Sequence, residues 1–146
     1  MITIQPMTKE DIDMVANLEK DTFSSPWSYE NLQESLNRDN YYFLVAKEDS
    51  MVVGYIGMYA ILDEGDITNI AVNKDFRRQG IGTMLLKEML WTAKKNNLVT
   101  VTLEVRVSNE NAISLYKQQG FAIIGTRKKF YVKPEEDGYI MRYSHI

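Results

Sequence analysis

Between Asp66 and Val105 the apolar residues change their spacing twice. Asp66 to Val72 reads as a strand. A glycine turn follows, and Ile81, Leu85 and Met89 then recur every fourth residue beside Leu86 and Leu90, with Lys87, Glu88, Lys94 and Lys95 elsewhere. That is an amphipathic helix, ending near Asn96-Asn97. Val99, Val101, Leu103 and Val105 then share one face of a strand, and Thr100, Thr102 and Glu104 share the other. A helix between two strands of one sheet makes a right-handed crossover with the strands parallel, so this stretch sets the centre of the fold.

The flanking segments read as follows. Ile2-Thr3-Ile4 alternates as a first strand, and Thr8 with Asp11 reads as the capped, acidic start of a helix running to about Thr22. Phe23-Ser24-Ser25-Pro26-Trp27 breaks it, and Ser28 can cap a second helix to about Leu36, with Trp27 at the staple position. Tyr41 to Lys47 and Met51 to Ala60 form a hairpin around Glu48-Asp49-Ser50. Ser108 or Asn109 caps a helix from about Asn111 to Gln119, stopped by Gly120, and Phe121–Tyr131 and Tyr139–Tyr143 complete the sheet. With no repeat, low-complexity tract or Pro/Gly/Ser-rich linker, residues 1–146 read as one domain of mixed α/β class.

Composition narrows the chemistry. The chain has no cysteine, which removes thiolate nucleophiles, cysteine zinc sites and redox pairs together. Its one histidine, His145, is the penultimate residue, so a histidine-based triad or metal cluster has almost nothing to rest on, and no metal is expected. The net charge of −3 speaks against direct nucleic-acid binding. The clusters Arg77-Arg78 and Arg127-Lys128-Lys129 have the size that suits one phosphate group or a solvated loop. No apolar run approaches the ~20 residues that span a bilayer, and no basic-then-apolar leader opens the chain. The expected setting is therefore cytoplasmic, with no membrane partner.

Arg77-Arg78-Gln79-Gly80-Ile81-Gly82 stands between a strand and a long helix. The first N–H groups of a helix lack intrahelical partners, and its dipole places partial positive charge there. Glycines let a phosphate approach the backbone closely, and arginines add forked donors. A glycine pair that merely shapes a tight helix entry is the competing reading. The lysine-serine pair of a P-loop is absent after Gly82, and Leu85 stands where a dinucleotide fingerprint requires a third glycine.

These residues resemble the GNAT superfamily of N-acetyltransferases, whose coenzyme A signature Gln/Arg-x-x-Gly-x-Gly/Ala is matched by Arg77, Gly80 and Gly82. Asn109-Glu110-Asn111-Ala112-Ile113-Ser114-Leu115-Tyr116 and Gly120-Phe121 resemble the family's second block. Finer features are similar to the RimI group, which modifies the N-terminal alanine of a small-subunit ribosomal protein. They are Phe23, Pro26, Trp27 and Ser28; Asn69-Ile70-Ala71-Val72; Leu103-Glu104-Val105-Arg106; and Tyr131 with Glu136-Asp137. Phe130 and Gly138 depart from that group's usual tyrosine and alanine.

The resemblance implies a GNAT fold: a seven-stranded, mostly antiparallel sheet around a central β-α-β core, with helices on both faces. It implies acetyl-CoA as co-substrate, held by Arg77, Arg78, Gln79, Gly80, Ile81 and Gly82, by the amides of Ile70, Ala71 and Val72, and by Asn109. Glu104 is the implied base and Tyr116 the implied acid, with Trp27 and Tyr131 lining a groove for the N-terminus of a ribosomal protein or similar peptide. An α-amine has a pKa near 8, so a useful fraction is neutral at pH 7, whereas a lysine near 10.4 is a harder acceptor. A phenol near 10 stays protonated at pH 7 and can donate to a departing thiolate. Glu104 on a solvent-facing strand position and Tyr116 in ordinary core packing are the plain alternatives. Acetylation of a small molecule, a polyamine or a protein lysine, and a non-catalytic acyl-CoA-binding module, are the rival functions.

Overall fold

The computed structural model describes residues 1–144; His145 lies outside the described residues. The strands are β1 (Ile2–Pro6), β2 (Tyr41–Glu48), β3 (Met51–Ile61), β4 (Glu64–Val72), β5 (Thr100–Arg106), β6 (Ala122–Val132) and β7 (Glu135–Tyr143). The helices are α1 (Ile12–Thr22), α2 (Tyr29–Leu36), α3 (Ile81–Lys95) and α4 (Glu110–Gln118). One seven-stranded sheet runs in the order β1-β2-β3-β4-β5-β7-β6. The chain divides into two compact units, Met1–Tyr59 with Thr68–Met89, and Ala60–Ile67 with Leu90 to the C-terminus.

In the first unit, β1 pairs antiparallel with β2, and β2 with β3, with a register shift at Ala46/Lys47. Val15, Ala16 and Leu18 of α1 and Leu32 of α2 pack with Phe43, Val45, Val52 and Tyr55 of the strands. Burying each large apolar side chain contributes about 1.5–3 kcal/mol. Thr8 opens a short 3-10 turn, Lys9–Asp11, that leads directly into α1. The buried Asp11 closes this corner through Lys47, 2.8 Å away. Ser28 caps α2 by accepting from the Asn31 N–H at 3.1 Å. A Cβ on Gly54 would lie 3.1 Å from the Ala71 carbonyl oxygen and 3.2 Å from Ile81, so glycine lets the start of α3 and the end of β4 close onto β3.

In the second unit, β4 pairs in parallel with β5 through Glu64↔Thr100, Gly65↔Val101 and Asp66↔Thr102. β5 pairs antiparallel with β7, and β7 with β6. Val101, Leu103 and Val105 are buried, as the alternation of β5 requires. Asn109 is the α4 cap, its Oδ1 accepting from the Ala112 N–H at 3.2 Å. The last hairpin is longer than the sequence reading had it. β7 starts at Glu135, before the expected Tyr139, because the acidic run is paired rather than solvated. The Glu136 carboxylate accepts from the Ser108 N–H at 2.7 Å and meets Arg106 at 3.2 Å, and Asp137 accepts from the Lys129 N–H at 2.8 Å.

Candidate active site

The strand-to-helix turn after β4 has the features of an anion cradle. Arg78 and Gly80 both hold left-handed backbone, with φ of 66° and 78°. Turns of that hand gather N–H groups toward a concave side. A Cβ on Gly80 would meet nothing within 4 Å, so the space in front of this backbone is open. Arg77, Arg78 and Gln79 are exposed, and Arg77 Nε is steadied by the Val72 carbonyl at 3.2 Å. Ile81 is buried and anchors α3, which presents the first-turn N–H groups around the half-buried Gly82. These residues fit a diphosphate-bearing ligand.

The preceding strand carries Ile70, Ala71 and Val72. Ala71 faces the core, and Ile70 and Val72 lie on the half-buried opposite face. In the same unit Trp27 is half-buried and meets Tyr41 and Phe43 edge-on, at 6.1 and 6.3 Å between centroids. Its N–H donates to the Glu19 carboxylate at 2.8 Å. The sequence reading passed over Glu19, although it sits four residues after Val15 on the apolar stripe of α1, where a carboxylate is out of place.

Glu104 is the electrostatic centre of the second unit's polar face. It is half-buried on β5, two residues beyond Thr102, whose partner across the parallel ladder is Asp66. Asp66 is exposed as a residue, yet burial of its carboxyl and the Glu104 charge push it up to about 6, against Arg127. Tyr131 is also pushed up by burial and by Glu104, with Arg106 opposing and Glu136 adding to the rise. Tyr116 on α4 is 5% exposed and packs on Phe121, 5.9 Å away. Burial, then the neighbouring Tyr131, push its phenol above the ordinary range, so it keeps its proton at working pH. Among the described residues neither the Asp66 nor the Glu104 carboxylate makes a hydrogen bond or salt bridge.

Within this unit the structure gathers Glu104 and Tyr131, with Tyr116 beside Tyr131, and adds Asp66, Arg106 and Arg127, which the sequence reading had not given a role in the site. Asn109, expected to contact the donor, spends its Oδ1 on capping α4. Among the described residues no group of three His, Asp or Glu could hold a metal ion, and no helix is long and apolar enough to cross a membrane.

The sequence profile of the Acetyltransferase (GNAT) family matches residues 12–121, and the chain belongs to that family. Its acetyl donor is acetyl-CoA, and the chain is an N-acetyltransferase. The [ribosomal protein bS18]-alanine N-acetyltransferase of Salmonella typhimurium is 32% identical over 143 residues, covering 97% of this chain and 96% of that protein. An N-alpha-acetyltransferase of Saccharolobus solfataricus is 32% identical, covering 95% and 90%. The crystal structure of the ribosomal-protein-S18-alanine N-acetyltransferase from Escherichia coli superimposes with a TM-score of 0.90 at 30% identity, covering 98% and 93%. These matches bear out the GNAT fold and the likeness to the ribosomal-protein-alanine enzymes.

Proposed function

We propose that this chain acetylates the N-terminal α-amino group of a protein that begins with alanine, the bacterial ribosomal protein bS18 being the acceptor named for its relatives. The observation that carries the reading is Glu104: a half-buried carboxylate with no hydrogen-bond or ion-pair partner among the described residues, whose charge reaches both Asp66 and Tyr131. Such a group can take a proton from an acceptor amine, directly or through one water.

Bound acetyl-CoA supplies the acetyl thioester. The Arg77–Gly82 turn holds its phosphates, and the backbone N–H groups of Ile70, Ala71 and Val72 meet the carbonyl oxygen as charge develops there. Glu104 accepts the proton released by the amine. Tyr116, which keeps its proton at working pH, donates to the departing thiolate. Trp27 and Tyr131 contact the acceptor peptide. Transfer is direct: no cysteine is present, so ping-pong kinetics has no obvious nucleophile.

Intact-mass analysis tests the acceptor. An N-terminal-alanine peptide incubated with enzyme and acetyl-CoA gains one acetyl group, and its N-blocked, lysine-containing counterpart gains none. Acetylation of the blocked peptide alone would move the acceptor to lysine. Parallel initial-rate lines, or an acetylated enzyme peak after quenching, would contradict direct transfer.

A further inference from the structure

Glu19 is fully buried and carries a carboxylate that the chemistry above does not use. Its two oxygens accept from three elements: the Trp27 N–H on Oε1 at 2.8 Å, the Asn69 Nδ2 on Oε2 at 3.0 Å, and the Tyr55 hydroxyl on Oε2. Trp27 lies in the segment between α1 and α2, Tyr55 is on β3, and Asn69 is on β4 immediately before Ile70. Tyr55 is itself fully buried, and burial and the Glu19 charge push its phenol far above the tyrosine range, so it is a permanent donor.

We propose that Glu19 is a positioning residue for the acceptor: it ties the Trp27 segment to β3 and β4, whose own places the sheet fixes, so one carboxylate sets where the part that meets the peptide lies. The inference rests on the reading that Trp27 contacts the acceptor. Stability alone does not explain the arrangement. A buried carboxylate is costly to desolvate, and apolar packing of equal volume usually holds a helix end as well or better. Among the described residues the knot also leaves Asn69 Oδ1 buried with no partner, a defect that core packing has no reason to keep. What a carboxylate supplies and an apolar side chain does not is direction. Three donors aimed at two oxygens fix the backbone of Trp27, whose own N–H is one of them. An amide would have to turn its NH2 head toward the Tyr55 hydroxyl and a reversed Asn69 amide, and it gives up the charge that strengthens all three bonds.

The test uses Glu19→Gln and Tyr55→Phe in the full chain, on protein shown to be folded at the assay temperature. Each is assayed with acetyl-CoA and an N-terminal-alanine peptide, with Trp27 emission read in a Trp91→Phe background. Glu19→Gln is expected to raise the peptide KM about tenfold, the worth of one charge-assisted hydrogen bond. It should leave kcat and the acetyl-CoA KM within about twofold and shift Trp27 emission to the red. Tyr55→Phe, which removes one donor and leaves the Trp27 bond, is expected to show the same pattern at smaller amplitude. If Glu19→Gln does not fold, Tyr55→Phe decides alone. An unchanged peptide KM in a folded variant overturns the proposal, as does an equal rise in both KM values. The emission shift is independent of turnover. If the wild-type chain acetylates no alanine peptide, the acceptor assignment fails. If Trp27 emission also stays fixed in both variants, the clamp fails with it.

Discussion

Arg106 lies with its guanidinium carbon 4.4 Å from the centroid of the Tyr131 ring, while its Nη1 and Nη2 donate to the carbonyls of Pro134 and Lys133 at 2.9 and 3.0 Å. The same Nη1 meets Glu136 at 3.2 Å. One side chain from β5 therefore fixes the tip of the β6–β7 hairpin and the face of the tyrosine proposed to contact the acceptor. Five N–H donors in a rigid fork make this possible, and an ammonium could not reproduce it.

Arg106→Ala should therefore cost about 1 kcal/mol of folding free energy, since the fork and its ring contact are lost but water can reach the two exposed carbonyls and Ser108 still donates to Glu136. Arg106→Lys should recover less than half of that loss. Urea denaturation of the three proteins checks the order, and a loss below about 0.5 kcal/mol for Arg106→Ala would show that the fork is a solvated surface contact.

Asp66 gives a pH dependence of defined sign. Its folded carboxyl is raised to about 6 by burial and the Glu104 charge, against about 3.9 in an unfolded chain. A raised folded value means that the native state holds the proton more tightly. The associated stability is fully present below about pH 4 and is lost as pH rises through about 6. Asp66→Asn should thus raise the melting temperature at pH 8, with the gain shrinking toward pH 4. A variant equally destabilised at both pH values would show that Asp66 is held by a favourable contact.

The anion cradle is tested by two glycines. Gly80→Ala forces a Cβ onto left-handed backbone and should cost about 1 kcal/mol of stability. Beyond its two chain neighbours no atom of the described residues lies within 4 Å of that Cβ, so an additional loss of acetyl-CoA affinity would come from the ligand. Gly82→Trp places far more bulk in the first turn of α3 and should weaken binding well beyond any loss of fold. Calorimetry on the folded variants decides; unchanged affinity in Gly82→Trp would remove the phosphates from this turn.

The central crossover was legible because it is written in spacing. The steps of two in β5 and of four in α3 reproduce the buried residues Val101, Leu103 and Val105 and Ile81, Leu85 and Met89. Long-range polar partnerships leave no such trace. Glu135-Glu136-Asp137-Gly138 looks like a turn until Arg106, Ser108 and Lys129 claim its carboxylates across 30, 28 and 8 residues of chain. Gly138 stood out only as a departure. The structure supplies its reason: a Cβ there would sit 3.1 Å from Tyr131 and 3.3 Å from Phe130, so glycine makes room for the ring. Asp66 went unnoticed because a single charge on a strand is ordinary until its neighbours are known, and Glu19 because one carboxylate in an apolar stripe does not say which donors meet it. Tyr116 was legible as a residue, and its burial against Phe121 shows the core packing that the sequence reading set beside the proton-donor role.

The most direct test of the account is the pH–rate profile of Glu104→Gln with acetyl-CoA and an N-terminal-alanine peptide, set beside that of Tyr116→Phe. Glutamine keeps the shape of Glu104 and removes the base, so activity at pH 7 should fall about 10²–10⁴-fold. Raising the pH should restore part of it, because more of the acceptor then arrives neutral. Tyr116→Phe removes a donor to the thiolate, so high pH should not rescue it and acetyl-CoA affinity should hardly change. Near-normal activity of Glu104→Gln at pH 7, or the same pH response in both variants, would contradict the assignment of Glu104 as the base.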